Sequence, residues 1–157
     1  MDNTDSLRQH IINLLTQGEA HVDLRSTLDD FPRDLRGRKP EGAPHTPWQL
    51  LEHMRIAQWD ILCFSSDAGH VSPKWPDGYW PENDAPKNER AWEQSVQQFL
   101  TELNAVCELV RDPQRDLLAQ IPHGSGQTLL REALLVADHN AYHLGQLVLV
   151  RRILEEK

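Results

Sequence analysis

A chain of 157 residues with 39% hydrophobic and 25% charged side chains can bury a sizeable core as one domain, residues 1–157, without staples. Its formal charge of −8 disfavours a nucleic-acid partner, because phosphate binding draws on a basic surface that displaces counterions. The first residues carry no basic leader pattern and no apolar run nears the ~18 residues of a spanning helix, so a soluble, cytoplasmic protein without a membrane partner is expected.

Residues 4–18 read as a first helix. Thr4 is its cap candidate, Leu7, Ile11, Leu14 and Leu15 form an i, i+4, i+7, i+8 stripe, and Gly18 is a natural stop. A short helix over residues 22–31 ends at Pro32. Residues 32–45 hold three prolines and two glycines and read as a long surface loop, with Arg33, Arg36, Arg38 and Lys39 as solvated charges. Thr46-Pro47-Trp48-Gln49 is a strong helix start: a Thr cap, Pro at the first helical position, and Gln placed to close a capping box. That helix should run to about Ser66. Leu50, Leu51, Met54, Ile56, Ala57, Trp59, Ile61, Leu62 and Phe64 spread over more than half its circumference and predict deep burial.

Residues 67–87 contain four prolines and two glycines around Trp75-Pro76-Asp77-Gly78-Tyr79-Trp80-Pro81. Proline removes backbone donors, so a long loop is expected, either a lid over a pocket or a hydrophobic plug at one end of a bundle. Residues 88–111 return to helical spacing, with Trp92, Val96, Phe99, Leu100, Leu103, Val106, Cys107 and Val110, and Asp112-Pro113 ends the run. A turn over residues 114–120 and the connection Ile121-Pro122-His123-Gly124-Ser125-Gly126 lead to a final helix over residues 127–156, with Thr128 as cap candidate. Cys63 and Cys107 lie within helices and lack metal-type spacing, which fits a reducing compartment. No strand alternation and no repeat is visible. The expected fold is an all-α bundle of four main helices with an extra short helix and a long Pro/Trp-rich loop.

The final helix carries His139 and His143 four residues apart, hence on one face. Glu132, Val136, Gln146 and Val150 share that face, between apolar flanks at Leu129, Leu130, Leu134, Leu135, Val148 and Leu149. Buried imidazoles need partners or a metal. An upstream His53, with Gln49, Ile56, Ala57 and Asp60 on its face, can supply a third ligand. Three protein ligands and an open position are the pattern of a catalytic metal site. An i, i+4 histidine pair is also an ordinary helix-surface feature, and that reading stays open. His10, His21, His45, His70 and His123 fall on exposed or element-end positions and read as ordinary histidines. His139-Asn140-Ala141-Tyr142-His143 is not the H-E-x-x-H of metalloproteases, because Asn140 stands where the glutamate would be. Gly124-Ser125-Gly126-Gln127-Thr128 is neither a phosphate loop nor a nucleophile elbow.

At three places the chain resembles the DinB/YfiT-like superfamily of bacterial helical-bundle proteins. Trp48-Gln49-Leu50-Leu51-Glu52-His53 is similar to that family's first metal-ligand helix. Asp138-His139-Asn140-Ala141-Tyr142-His143-Leu144-Gly145-Gln146 is similar to its second, and Gly126-Gln127-Thr128-Leu129-Leu130 to the entry of that helix. The resemblance implies an up-down-down-up four-helix bundle, often a homodimer, with a divalent ion, zinc or nickel among others, held by His53, His139 and His143. It also implies a metal-dependent hydrolase or thiol-dependent transferase acting on a small molecule, with a low-molecular-weight thiol as a candidate partner. Glu132 and Asp60, about 10 Å along their helices from the ligands, are expected either to orient an imidazole or to be plain surface carboxylates. Tyr142, Gln146 and Trp80 are candidates to line the open side. The competing expectation is a non-catalytic, stress-associated bundle whose ion pins helices together.

Overall fold

The computed structural model describes residues 3–17 and 20–156. Among these residues there are five α-helices and no strand, only an isolated bridge between Gln120 and Thr128. The helices are α1 (Asn3–Thr16), α2 (Leu24–Asp29), α3 (Pro47–Ser66), α4 (Glu89–Arg111) and α5 (Leu129–Glu155). The expected stop at Gly18 lies outside the described residues.

Side-chain caps fix the starts of the three long helices, two of them, at Thr46 and Thr128, read from the sequence. Thr46 Oγ1 accepts from the Gln49 amide while Gln49 Oε1 accepts from the Thr46 amide, closing the capping box with Pro47 at the first helical position. Asn88 caps α4 and Thr128 caps α5 through a single bond each, Asn88 Oδ1 accepting from the Ala91 amide and Thr128 Oγ1 from the Arg131 amide. Asp23 caps α2 through two backbone amides, so this helix starts later than the expected residue 22. In α1 the helix already includes Asn3, which places Thr4 inside the first turn rather than at the cap.

Helix directions follow from which ends meet. Trp48 and Trp92, near the starts of α3 and α4, pack with ring centroids 6.5 Å apart, so these helices run parallel. Phe64, at the end of α3, meets His123 just before α5, and Leu50 shares a cavity with Gln146 and Val150, so α3 and α5 are antiparallel. Arg8 of α1 donates to the carbonyls of Val110 in the last turn of α4 and Arg115 just past it. The carbonyl of Leu28, after α1, accepts from Trp92 near the start of α4, so α1 and α4 are antiparallel. The four main helices are therefore up, down, down, up. Their shared core includes Ile11, Leu28, Leu51, Met54, Trp92, Phe99, Val110, Val136 and Leu147. Burial of such side chains contributes roughly 1.5–3 kcal/mol each.

Several sequence expectations are corrected. Leu7 and Leu14 lie on the exposed side of α1, and Arg8 is buried instead, because its guanidinium neutralises carbonyls that α4 and its following turn leave without helical partners. Leu134 and Leu149 of α5 are also exposed rather than core flanks. The segment 32–45 is not merely a surface loop: it holds a 3-10 turn (Arg33–Leu35), and Leu35, Arg36 and Pro40 are buried. Arg36 is no solvated charge. It pairs with Glu93 at 2.8 Å and lies over the Trp92 ring, burying its stem while keeping a counter-charge. Gly37 lets this segment touch the 67–87 loop, since a Cβ there would collide with Ala85.

A buried polar bridge crosses the core. Asn140 of α5 donates to Gln58 Oε1 of α3 at 3.0 Å, and Gln58 Nε2 donates to the Phe99 carbonyl of α4 at 2.8 Å. Among the described residues no helix is long and apolar enough to cross a membrane. Cys63 and Cys107 are free thiols.

Candidate metal centre

Helix α3 presents His53 six residues past its N-terminal proline, and α5 presents His139 and His143 one turn apart, so the antiparallel packing of these helices brings the three rings together. One ring nitrogen from each residue lies within 4.8 Å of the others, and this trio is the group of ligand-type side chains found among the described residues with spacing suited to a metal ion. His53 Nε2 and His139 Nε2 are 3.1 Å apart. Two nitrogens bound at about 2.0–2.1 Å to one ion, at right or tetrahedral angles, would stand about 2.8–3.4 Å apart. The ring centroids are 4.9 Å apart for His53 and His139, and 4.5 Å for His143 with each of the other two. The donor set fits a divalent ion.

Two of the three tautomers are fixed by the surroundings. His53 Nδ1–H donates to the Tyr79 carbonyl at 2.9 Å, and His143 Nδ1–H donates to Gln146 Oε1 at 2.7 Å. In both residues Nε2 is left with its lone pair for a ligand, which is how metal-binding imidazoles are usually oriented. Burial, with a smaller contribution from neighbouring imidazoles, lowers the pKa of His53 and of His139 to about 4, in His53 against the raising effect of its bond to Tyr79. Burial also lowers that of His143, opposed by its bond to Gln146. All three are neutral near pH 7, the protonation state that coordination requires.

The Trp-rich loop reaches this centre through Tyr79 and Trp80. The Trp80 indole stacks on His53 at 3.8 Å with 1° between planes, and on its other face stacks His45 at 3.8 Å and 15°. His45 therefore belongs to the centre, although it reads in the sequence as an ordinary loop histidine. Burial and the charge of Lys39 lower its pKa. Trp75, by contrast, is 71% exposed. The loop covers the histidines with one aromatic and leaves another in solvent.

The two carboxylates expected near the ligands behave differently from either expectation. Neither is a surface group and neither touches an imidazole of the trio. Glu132 is buried and pairs with Arg131 at 2.7 Å. Asp60 is buried and accepts from Tyr79 Oη at 2.6 Å and from His70 Nε2 at 2.7 Å. Asp60 thus grips the loop residue whose carbonyl orients His53, so its influence on the centre is relayed through Tyr79. Burial and the Asp60 carboxylate push the Tyr79 phenol up to about 12, keeping it a donor. Of the remaining candidates, Gln146 bonds His143 directly. Tyr142 is 63% exposed, with its ring 4.8 Å from that of His143.

His45, His70 and Tyr79 escaped the sequence reading because their partners are 10 to 35 residues away with no helical periodicity to link them. The one available signal was the aromatic cluster at residues 75–80, which required something to pack on.

The sequence model of the DinB superfamily matches residues 7–147, a span that includes all three histidines. No curated protein and no solved structure gives a match. The chain belongs to the DinB superfamily.

Proposed function

With that membership as premise, we propose that the protein is a metal-dependent enzyme of hydrolase or thiol-dependent transferase type, acting on a small molecule. Its ligands would be His53, His139 and His143, with zinc or nickel as the ion. Metal binding is common in the superfamily, and the three-histidine group supports it here. The observation that carries the reading is the tautomer control: two of three imidazoles have Nδ1 tied to a protein acceptor, so Nε2 is aimed into the shared space. When bound, a divalent ion supplies Lewis acidity, lowering the pKa of water or of a thiol and polarising a carbonyl.

The chain's own residues have separable tasks. His53, His139 and His143 are uncharged donors, so they leave the ion's positive charge uncompensated, which favours anionic species at the centre. Trp80 shields the face of His53 from water. Gln146 holds the His143 ring through its carbonyl oxygen. His45 is the titratable side chain outside the trio whose charge reaches both His53 and His143, and it is neutral near pH 7. It is the group placed to take a proton at the edge of the centre. Asp60 and Glu132 are engaged elsewhere and are not assigned acid–base roles.

The test is elemental analysis of purified protein beside His143→Ala. One equivalent of zinc or nickel is expected in the parent and none in the variant; undiminished metal in the variant refutes the ligand assignment. Cobalt-substituted protein then separates catalysis from scaffolding. A spectral change on adding azide or a thiol shows an exchangeable position, whereas an inert spectrum with a large loss of melting temperature on chelation favours an ion that only pins α3 to α5.

A further inference from the structure

Beside the centre lies a cavity of about 380 Å³ between the 41–45 segment, the start of α3 and the last turns of α5. This volume is at the small end of the ~300–1,000 Å³ typical of ligand pockets. Its walls are largely apolar, with Leu50, Leu149, Val150 and Ile153 contributing most of the hydrocarbon. The polar side chains His45 and Gln146 tie it to the histidine trio. His45 stacks on the indole that covers His53, and Gln146 accepts the Nδ1–H of His143. That bond commits the Gln146 carbonyl oxygen, so the amide offers its Nε2–H groups to whatever enters. The only charged side chain of the lining is Glu41, which is exposed.

This lining selects by exclusion. With no Lys or Arg among the wall residues, a phosphorylated or polyanionic ligand finds no counter-charge there. With three polar side chains, one of them the exposed Glu41, a sugar would bury more hydroxyls than the walls can satisfy. An alkyl or aryl group matches the walls, and an acceptor oxygen matches Gln146. We propose that this cavity binds a compact apolar group of the substrate, with an adjacent carbonyl-type oxygen facing Gln146 Nε2 and the reacting end toward the three histidines. The assignment rests on the metal-enzyme reading above and adds the substrate class to it.

The experiment uses the full chain loaded with zinc and a series of straight-chain hydroxamic acids from acetohydroxamic to octanohydroxamic acid, followed by titration calorimetry. Acetohydroxamate should bind, and affinity should rise about fourfold for each methylene that enters the cavity. Ile153→Gln and Leu149→Gln lie at partly exposed positions, where an amide can reach water. Each should reduce the gain to less than twofold per methylene, while Leu7→Gln on the exposed side of α1 should leave it intact. Affinity independent of chain length, with acetohydroxamate still bound, overturns the cavity assignment and leaves the metal centre standing. A chain-length gain that survives both α5 substitutions places the tail elsewhere and also overturns it. Failure of acetohydroxamate itself to bind removes the metal-enzyme reading and the cavity assignment with it.

Discussion

Replacing Tyr79 with Phe removes one oxygen atom, leaves the backbone carbonyl that holds His53 in place, and isolates the link between Asp60 and the centre. The lost bond is a 2.6 Å donation to a buried carboxylate, a class worth about 1.5–3 kcal/mol. Asp60 would keep His70 as a donor at 2.7 Å, so the carboxylate is not left bare and the cost belongs at the lower end. For a chain of this size, 1.5 kcal/mol corresponds to a melting temperature lower by about 3–6 °C. The loop residue freed from Asp60 no longer holds its carbonyl rigidly against His53 Nδ1. Loss of such an orienting partner typically weakens metal affinity about 10–100-fold. The assay is zinc titration in competition with a chromophoric chelator, on the parent, Tyr79→Phe and Asp60→Asn. A control, Arg36→Ala, removes a buried guanidinium that bonds the half-exposed Glu93 and the Phe31 carbonyl rather than the histidines, and should lower the melting temperature without changing zinc affinity. Parent-like zinc affinity in Tyr79→Phe would refute the relay. So would an equal loss of affinity in the Arg36 control, since global loosening would then explain both.

Three further outcomes follow from the same geometry. Trp80→Ala uncovers His53 and unstacks His45; hydrogen exchange of the 76–82 amides should rise while the α4 core amides stay protected. In metal-free protein, His53 and His139 titrate near pH 4 when folded against about 6.5 when unfolded. The unfolded chain therefore binds more protons between these values, and stability falls as pH drops from 6.5 to 4, by up to about 1.4 kcal/mol per pH unit for each histidine. Urea midpoints at pH 7, 5.5 and 4.5 check this, and a flat profile contradicts the neutral buried trio. Arg8→Met retains the stem but withdraws the donors from the Val110 and Arg115 carbonyls; a loss of about 2–4 kcal/mol is expected by chemical denaturation.

The long helices were legible because their signals are local. The capping box at Thr46 and the Thr cap at residue 128 act within four residues, and the helix over 88–111 showed itself by its apolar spacing, although its Asn88 cap was not read. The three histidines were legible because two share a helical face and the third sits in the most apolar helix. The role of Asp60 was not legible. Its helical face was read correctly, yet its partners come from the proline-rich loop, whose path is set by tertiary packing rather than by any repeat. Arg8 and Arg36 were missed for a related reason: each long basic side chain is buried by acceptors or rings about 55 to 107 residues distant. Leu7 and Leu14 show the converse error, since a stripe of spacing identifies a helix but not which edge of it faces the core.

The amide bridge from Asn140 through Gln58 to the Phe99 carbonyl acts as a rotational key. Apolar packing alone tolerates small turns of α5 about its axis, because one hydrocarbon contact replaces another at little cost. A directional amide pair does not. Turning α5 by one residue swings Asn140 through about 100° and leaves the buried Gln58 oxygen without its donor. Asn140 directly follows His139, and Gln58 stands five residues after His53, so the angle held by the bridge is also the angle at which the imidazoles meet. The residue that distinguishes this helix from a metalloprotease motif is thereby the one that clocks its histidines against α3.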